Sequence, residues 1–270
     1  KHLKESRMQI KINNDNINIR TGGYQINNDN PYFLLLHGAG MDASIWQMQI
    51  RYLANRGVNV LAIDLPGHGL SEGKSLSSIS EMSEWTIQLI NKLDIDSISI
   101  AGHSMGSLVA IDVCKNISKK INNIILLGTA SLMPVHPDLI DAAENNLTLA
   151  ANLITDWSFG TKQHLGNHPL PGYWMLDSSI QLITQSKIRV LAQDLIACNQ
   201  YKEALTVANN IDKKVTIISG REDKMTPVKK AKELHDVIDN SELIIIENVG
   251  HMMMIENPVK VTRIMNNLFL

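Results

Sequence analysis

Gly102-His103-Ser104-Met105-Gly106 is the stretch whose reading decides the fold. It follows an apolar β-type run, Ser97-Ile98-Ser99-Ile100-Ala101, and precedes a helical pattern over residues 107–115. A serine between strand and helix, with glycine two positions away on either side, is the G-x-S-x-G turn that projects a nucleophile from a sheet. The glycines are needed because side chains there would clash with so tight a backbone. The following helix aims its positive N-terminal end at the serine, where an oxyanion is stabilised. G-x-S-x-G alone recurs by chance; its strand–turn–helix context makes Ser104 a candidate nucleophile rather than a structural serine.

Working outward, Met8–Ile12 and Ile17–Arg20 alternate at period two around Asn13-Asn14-Asp15-Asn16, as in a hairpin. Unbroken apolar runs suited to buried strands follow at 32–36, 58–63, 97–101, 124–127, 215–218 and 243–246. Helical patterns lie between them, at 44–55, 79–92, 105–117, 227–238 and 258–268. Ser78 with Glu81 has capping-box spacing, and Thr226-Pro227 reads as an N-cap before a first-turn proline. Strands alternating with helices predict an α/β fold: a mostly parallel sheet of about eight strands, covered on both faces, with the hairpin antiparallel at one edge. The gap between the runs at 124–127 and 215–218 is too long for one crossover. Residues 131–209 carry their own helical patterns, at 137–155, 179–198 and 202–208, around a Gly/Pro/aromatic segment from Phe159 to Tyr173. The expected organisation is a core of residues 1–130 and 210–270 with a helical cap, 131–209, over the carboxyl edge of the sheet, where open α/β sheets bind ligands.

A serine nucleophile needs a base, and the base needs an orienting acid. His251 follows the run at 243–246 through Glu247-Asn248-Val249-Gly250. Asp223 follows the run at 215–218 through Ser219-Gly220-Arg221-Glu222, with Glu222 the alternative acid. His37, His68 and Asp64 sit in loops and read as structural; His103 should point away from the serine and pack. His136, His164 and His168 are scattered without metal-ligand spacing, and no zinc motif is present, so no metal is expected.

These residues carry a resemblance to the α/β-hydrolase superfamily, in particular its capped, esterase-like members. The motifs are Leu36-His37-Gly38-Ala39-Gly40, Asp64-Leu65-Pro66-Gly67-His68-Gly69-Leu70-Ser71, the Ser104 turn, Gly220-Arg221-Glu222-Asp223 and Val249-Gly250-His251. They cover residues 31–130 and 213–270 in order, and the order Ser104, Asp223, His251 is the family's. The family's spacing favours Asp223 over Glu222. The resemblance implies an oxyanion hole made by the backbone N–H groups of Ala39 and Met105. It implies hydrolysis of carboxylic esters, short- to medium-chain, through an acyl-enzyme and without a cofactor. Trp157, Trp174 and Met252 are candidate substrate-binding residues, each weighed against plain packing. The alternatives are a C–C hydrolase of ring-fission products with the same three residues, a lactonase or a thioesterase. Aminopeptidase and cofactor-free haloperoxidase activities also occur in this fold. Epoxide hydrolases and haloalkane dehalogenases place aspartate where Ser104 stands. From another class, a non-catalytic receptor binding a small molecule in a capped pocket is the rival.

Composition bounds the partners. The 270 residues carry a net charge of −2, which gives no electrostatic case for nucleic acid or an acidic membrane. No 18-residue apolar run predicts a membrane span, and the polar start of the chain lacks a signal peptide's apolar core. Two cysteines, Cys114 and Cys198, make no disulfide framework and read as buried free thiols. A cytoplasmic enzyme acting on a small-molecule ester is the expectation; the oligomeric state is not encoded in any motif.

Overall fold

The computed structural model describes residues 7–166, 172 and 174–270; His168 and Tyr173 of the sequence reading lie outside them. Eight strands form one sheet: β1 (Arg7–Ile12), β2 (Asp15–Arg20), β3 (Tyr32–Leu36), β4 (Asn59–Ile63), β5 (Ile98–His103), β6 (Ile121–Leu127), β7 (Lys214–Gly220) and β8 (Ser241–Ile246). Their spatial order is β1-β2-β4-β3-β5-β6-β7-β8. The β1–β2 hairpin and the β2–β4 pair are antiparallel, and every other pair is parallel. The strand that ends at Ser104 is therefore central, with β3 on one side and β6 on the other.

Among the described residues, twelve α-helices accompany the sheet. Before β6 come α1 (Gln47–Ala54), α2 (Ile79–Lys92) and α3 (Met105–Ile117). Between β6 and β7 lie α4 (Pro137–Asn145), α5 (Leu147–Ser158), α6 (Thr161–His164), α7 (Met175–Thr184), α8 (Val190–Gln200) and α9 (Ala204–Ala208). Then follow α10 (Val228–His235), α11 (Met253–Glu256) and α12 (Pro258–Asn266). None of the helices described is long and apolar enough to cross a membrane.

Period-two alternation sorts the strand side chains between two cores. Leu34 and Leu36 of β3 join a cluster with α2, α3 and α10, whereas Phe33 and Leu35 join one with α1, α11 and α12. The insertion between β6 and β7 has a third cluster around Leu139, Ala150, Ile154, Ile183, Leu191 and Leu195. It is not self-contained. Ala197, Cys198, Tyr201, Ala204 and Val207 pack into the first cluster, and Phe159 and Met175 into the second.

Three local readings are corrected. The pattern at 137–155 is two helices, because the Asn146 side chain accepts a hydrogen bond from Leu149 N (3.1 Å) and caps α5 afresh. The pattern at 179–198 is also two, α7 beginning earlier, at Met175, and α8 beginning after Arg189, whose φ of +67° is left-handed. Thr226 does not cap α10; Pro227 holds that place and the Thr226 hydroxyl is used elsewhere.

The turn after β5 explains its glycines. Ser104 has φ 52° and ψ −117°, a sparsely populated conformation that costs ~1–3 kcal/mol. A Cβ on Gly102 would overlap the Gly106 carbonyl, and one on Gly106 would come within 2.5 Å of Leu36 O and 2.7 Å of His37 O. Both neighbours are backbone, which cannot swing aside. Gly102→Ala is therefore expected to destabilise by at least about 3 kcal/mol, the top of the overpacking range; a denaturant midpoint within error of the parent would refute the steric account.

Candidate functional site

Loops at the carboxyl ends of β3, β5, β7 and β8 meet over one end of the sheet. Hydrogen bonds extend the ladder into them: Ser104 N to Leu127 O (2.9 Å), Gly128 N to Ile218 O (3.1 Å) and Arg221 N to Ile246 O (2.9 Å). The structure brings Ser104, Asp223 and His251 together there. His251 donates Nδ1–H to Asp223 Oδ2 at 2.8 Å, with both side chains buried. Ser104 and His251 line one cavity of about 200 Å³. His251 Nε2 has no hydrogen-bond partner among the described residues, Ser104 Oγ included. Glu222 is turned away; its Oε2 accepts Thr161 N at 2.6 Å.

Asp223 is held from four directions. Oδ1 accepts Met225 N and Thr226 N, both at 2.8 Å, and Oδ2 accepts the Thr226 hydroxyl (2.7 Å) beside the imidazole. Four donors fix the carboxylate, and the carboxylate fixes the tautomer that leaves Nε2 free towards the cavity. The imidazole fits because Gly128, at φ 55°, has no side chain: a Cβ would lie 2.8 Å from His251 Cε1 and Nδ1.

Ala39 lines the same cavity, and its N–H has no acceptor among the described residues. Met105 is the first residue of α3, where an N–H has no partner within the helix. Its side chain is buried in the core, so its backbone alone faces the turn.

The three substrate-binding candidates separate. Trp157 lines the cavity with Met41, Met133, Leu139, Ile154 and Leu195. Trp174 does not: its side chain is 70% exposed at the start of α7, outside the lining. Met252 is buried in the second core cluster, since the chain after His251 turns into α11 and carries it inward.

The histidines read as structural brace the site, whereas two acids beside it, Asp194 and Glu256, escaped the sequence reading. His103 packs against His251. Its ring lies 4.6 Å from that of His251, and its Nε2–H donates to the His251 carbonyl at 3.0 Å. Burial, reinforced by the neighbouring His251, holds His103 well below the usual histidine range and so neutral. His37 is likewise pushed down, to about 4, by burial first and the neighbouring His68 next; its Nδ1–H donates to Gly38 O and its Nε2 accepts Leu65 N. His68 is raised. Burial pulls it down, but Asp194, bonded to Nε2 at 2.8 Å, and the Pro66 carbonyl outweigh that. The signal for Asp194 was present: it falls four residues after Val190 and three after Leu191, on the buried stripe of α8.

Glu256 organises the His251 loop. Its carboxylate accepts Gly250 N at 3.0 Å and Met252 N at 3.1 Å, the N–H groups on either side of His251, and Gly160 N at 2.9 Å from the insertion. His251 N itself donates to Ser158 O at 2.5 Å. The only sequence signal of Glu256 was an acid directly after the apolar run 252–255.

A model of the alpha/beta hydrolase family matches residues 33–264. The chain is 24% identical over 267 residues to the (E)-2-((N-methylformamido)methylene)succinate hydrolase of Acinetobacter baylyi, covering 92% of this chain and 94% of that one. It is 25% identical over 244 residues to the pimeloyl-[acyl-carrier protein] methyl ester esterase of Aromatoleum aromaticum, covering 84% and 94%. Among solved structures, the enol-lactonase from Burkholderia xenovorans superposes with a TM-score of 0.86 over 97% of this chain and 99% of that one, at 20% identity; at that identity the likeness speaks for the fold.

Glu256 has a consequence for stability. Burial raises its carboxyl to about 7 against the pull of its three backbone donors. A carboxyl raised by folding contributes stability that is full below its unfolded value near 4.5 and lost as pH rises through about 7. Melting temperatures taken between pH 4.5 and 8 should fall more steeply with pH in the wild type than in Glu256→Gln; parallel curves would contradict this.

Proposed function

The chain belongs to the alpha/beta hydrolase family, and from that premise we propose that it is a serine hydrolase of carboxylic esters with short- to medium-chain acyl groups. One observation carries the reading: a strained serine and an imidazole with an unpartnered Nε2 share one apolar cavity, the imidazole's other nitrogen being engaged by a buried carboxylate. Ser104 Oγ attacks the ester carbonyl while His251 Nε2 takes its proton. Asp223 keeps Nδ1–H in place and stabilises the imidazolium. The carbonyl oxygen, now negative, accepts the N–H groups of Ala39 and Met105, and loss of one such donor costs ~2.7–4 kcal/mol. His251 then protonates the departing alcohol, leaving Ser104 acylated. Water, deprotonated by the same nitrogen, releases the acid and restores Ser104. No step calls for a cofactor, and the partner is a small-molecule ester.

The size and lining of the cavity support the acyl range: about 200 Å³ walled by methionine, leucine, isoleucine and Trp157. The likeness to a pimeloyl methyl ester esterase supports ester chemistry. A second reading, a C–C hydrolase of ring-fission products or a lactonase, uses the same three residues; the likeness to the 2-hydroxy-6-oxononadienedioate/2-hydroxy-6-oxononatrienedioate hydrolase 1 of Pseudomonas putida, 23% identical over 270 residues, supports it.

Hydrolysis of p-nitrophenyl esters from acetate to palmitate, beside a ring-fission dienoate, tests the assignment. Fast turnover of short and medium esters, cut at least ~10³-fold in Ser104→Ala, is expected. Preference for the dienoate with only trace ester activity would replace the reading with C–C hydrolysis, and labelling of Ser104→Ala by a fluorophosphonate would unseat the nucleophile.

The tryptophans make a paired test. Trp157→Ala should shift the kcat/KM ratio of long to short esters by about tenfold or more, in line with ~1–3 kcal/mol for small changes in an apolar pocket. Trp174→Ala should leave that ratio alone. The reverse pattern would mean that α7 covers the cavity differently in solution.

A further inference from the structure

Asp194 is a fully buried carboxylate on α8, the insertion helix whose Leu191, Leu195 and Cys198 pack inward. Its Oδ2 accepts two hydrogen bonds, from Gly40 N at 2.8 Å and from His68 Nε2 at 2.8 Å. Its Oδ1 is buried with no partner among the described residues. A buried ion pair is a weak source of stability and a half-satisfied one is weaker still; an apolar side chain at this position of α8 would pack at less cost. The position of the carboxylate, rather than its energy, explains its presence.

That position is beside Ala39. Gly40 is the next residue, and α8 grips it twice: a Cβ on Gly40 would fall 2.7 Å from Leu191 Cδ1, one turn before Asp194. The rest of the loop is anchored from the core. His37 donates to Gly38 O, Met41 N donates to the same oxygen at 3.2 Å, and the ring of His68 lies 4.7 Å from that of His37. Between these anchors the Ala39 peptide has no bond of its own through its N–H. Its direction is set by the two donors to Gly38 O, the carbonyl of the same planar peptide, and by the Asp194 bond to Gly40 N, which holds the next peptide and with it the Ala39 torsions.

The geometry points to Asp194 as a positioning residue of the reaction: from the insertion, through the Gly40 N–H, it aims the Ala39 N–H at the oxygen that becomes negative on attack by Ser104. This rests on the serine-hydrolase reading above. His68, 2.8 Å away through Nε2, is the second donor to the buried Asp194 side chain. An insertion helix thereby completes a site whose other polar parts come from the sheet loops.

Asp194→Ala, Asp194→Asn and wild type would be compared by three readouts. Amide hydrogen exchange at Gly40 reports the tether without reference to activity and should be at least tenfold faster in Asp194→Ala. With the best p-nitrophenyl ester, kcat should fall about 10- to 100-fold, less than outright loss of a donor, with KM within about threefold. A trifluoromethyl ketone, which adds Ser104 Oγ to its carbonyl and presents the oxyanion, should lose affinity by the same factor as kcat/KM. The methyl ketone of the same chain, a ground-state mimic, should bind unchanged. Asp194→Asn, which keeps the shape and one acceptor oxygen, should show smaller changes in the same readouts and carries the comparison if the alanine variant does not fold. Gly40 exchange unaltered in the variants would overturn the inference, as would an equal weakening of both ketones. A wild type inert towards all esters and the fluorophosphonate would instead sink the hydrolase reading; an active wild type with indifferent variants would sink only the role of Asp194.

Discussion

The turn between β5 and α3 is the constraint from which the rest of the site follows. Ser104 sits at φ 52° only because the backbone on both sides is bare. The bare Gly106 lets α3 run against the carbonyls of Leu36 and His37, which brings the end of β3 alongside the serine. The bare Gly38 then lets the next loop pass His103 and Ser104 at distances of 2.9 and 3.3 Å from where a Cβ would be. Three missing side chains thus set how closely serine, loop and helix approach, and the parallel register of β3, β5 and β6 holds them there. Strain at one residue is borne by a sheet whose central strand, β5, is wholly buried and whose neighbour β3 is buried from Phe33 to Leu36.

Much of this was legible because it is local. The strands at 32–36 and the helix at 79–92 match the predicted spans, since an unbroken apolar run and a capped 3.6-residue period each admit one solution. Motif order brought Ser104, Asp223 and His251 forward as candidates, and each lies just past the end of a strand. What was not legible is long-range. Thr226 carries the signature of a helix cap and instead bonds Asp223. His103 stands next to the serine in sequence but bears on His251 through a contact 148 residues distant. Trp174 and Met252 were chosen by residue type, and type does not say which way a helix start or a tight turn points a side chain. Breaks inside the insertion were missed because Asn146 and Arg189 interrupt otherwise continuous apolar patterns.

Electrostatics in the site works by pairing unlike histidines. His37 and His103 are driven neutral by burial, and each lies face-tilted against a histidine bonded to an aspartate. A neutral ring beside His251 sets no positive charge against that imidazole. The two buried aspartates that face these histidines, Asp194 and Asp223, come from opposite parts of the chain, one from the insertion and one from the core.

The insertion also touches the His251 loop, through Ser158 O, Gly160 N and Thr161 N, and it shares core packing from Ala197 to Val207. Exchange of this segment between relatives is consequently constrained in a way that sheet loops usually are not. A graft that preserved only the pocket wall would leave Glu256 short of a donor and Gly40 without its acceptor. Divergence of substrate range is cheaper by point changes along the inner faces of α4, α5 and α8 than by replacing the segment whole. The junctions between insertion and sheet, polar at the His251 and Gly40 loops and apolar from Ala197 to Val207, fix where such a chain can be recombined.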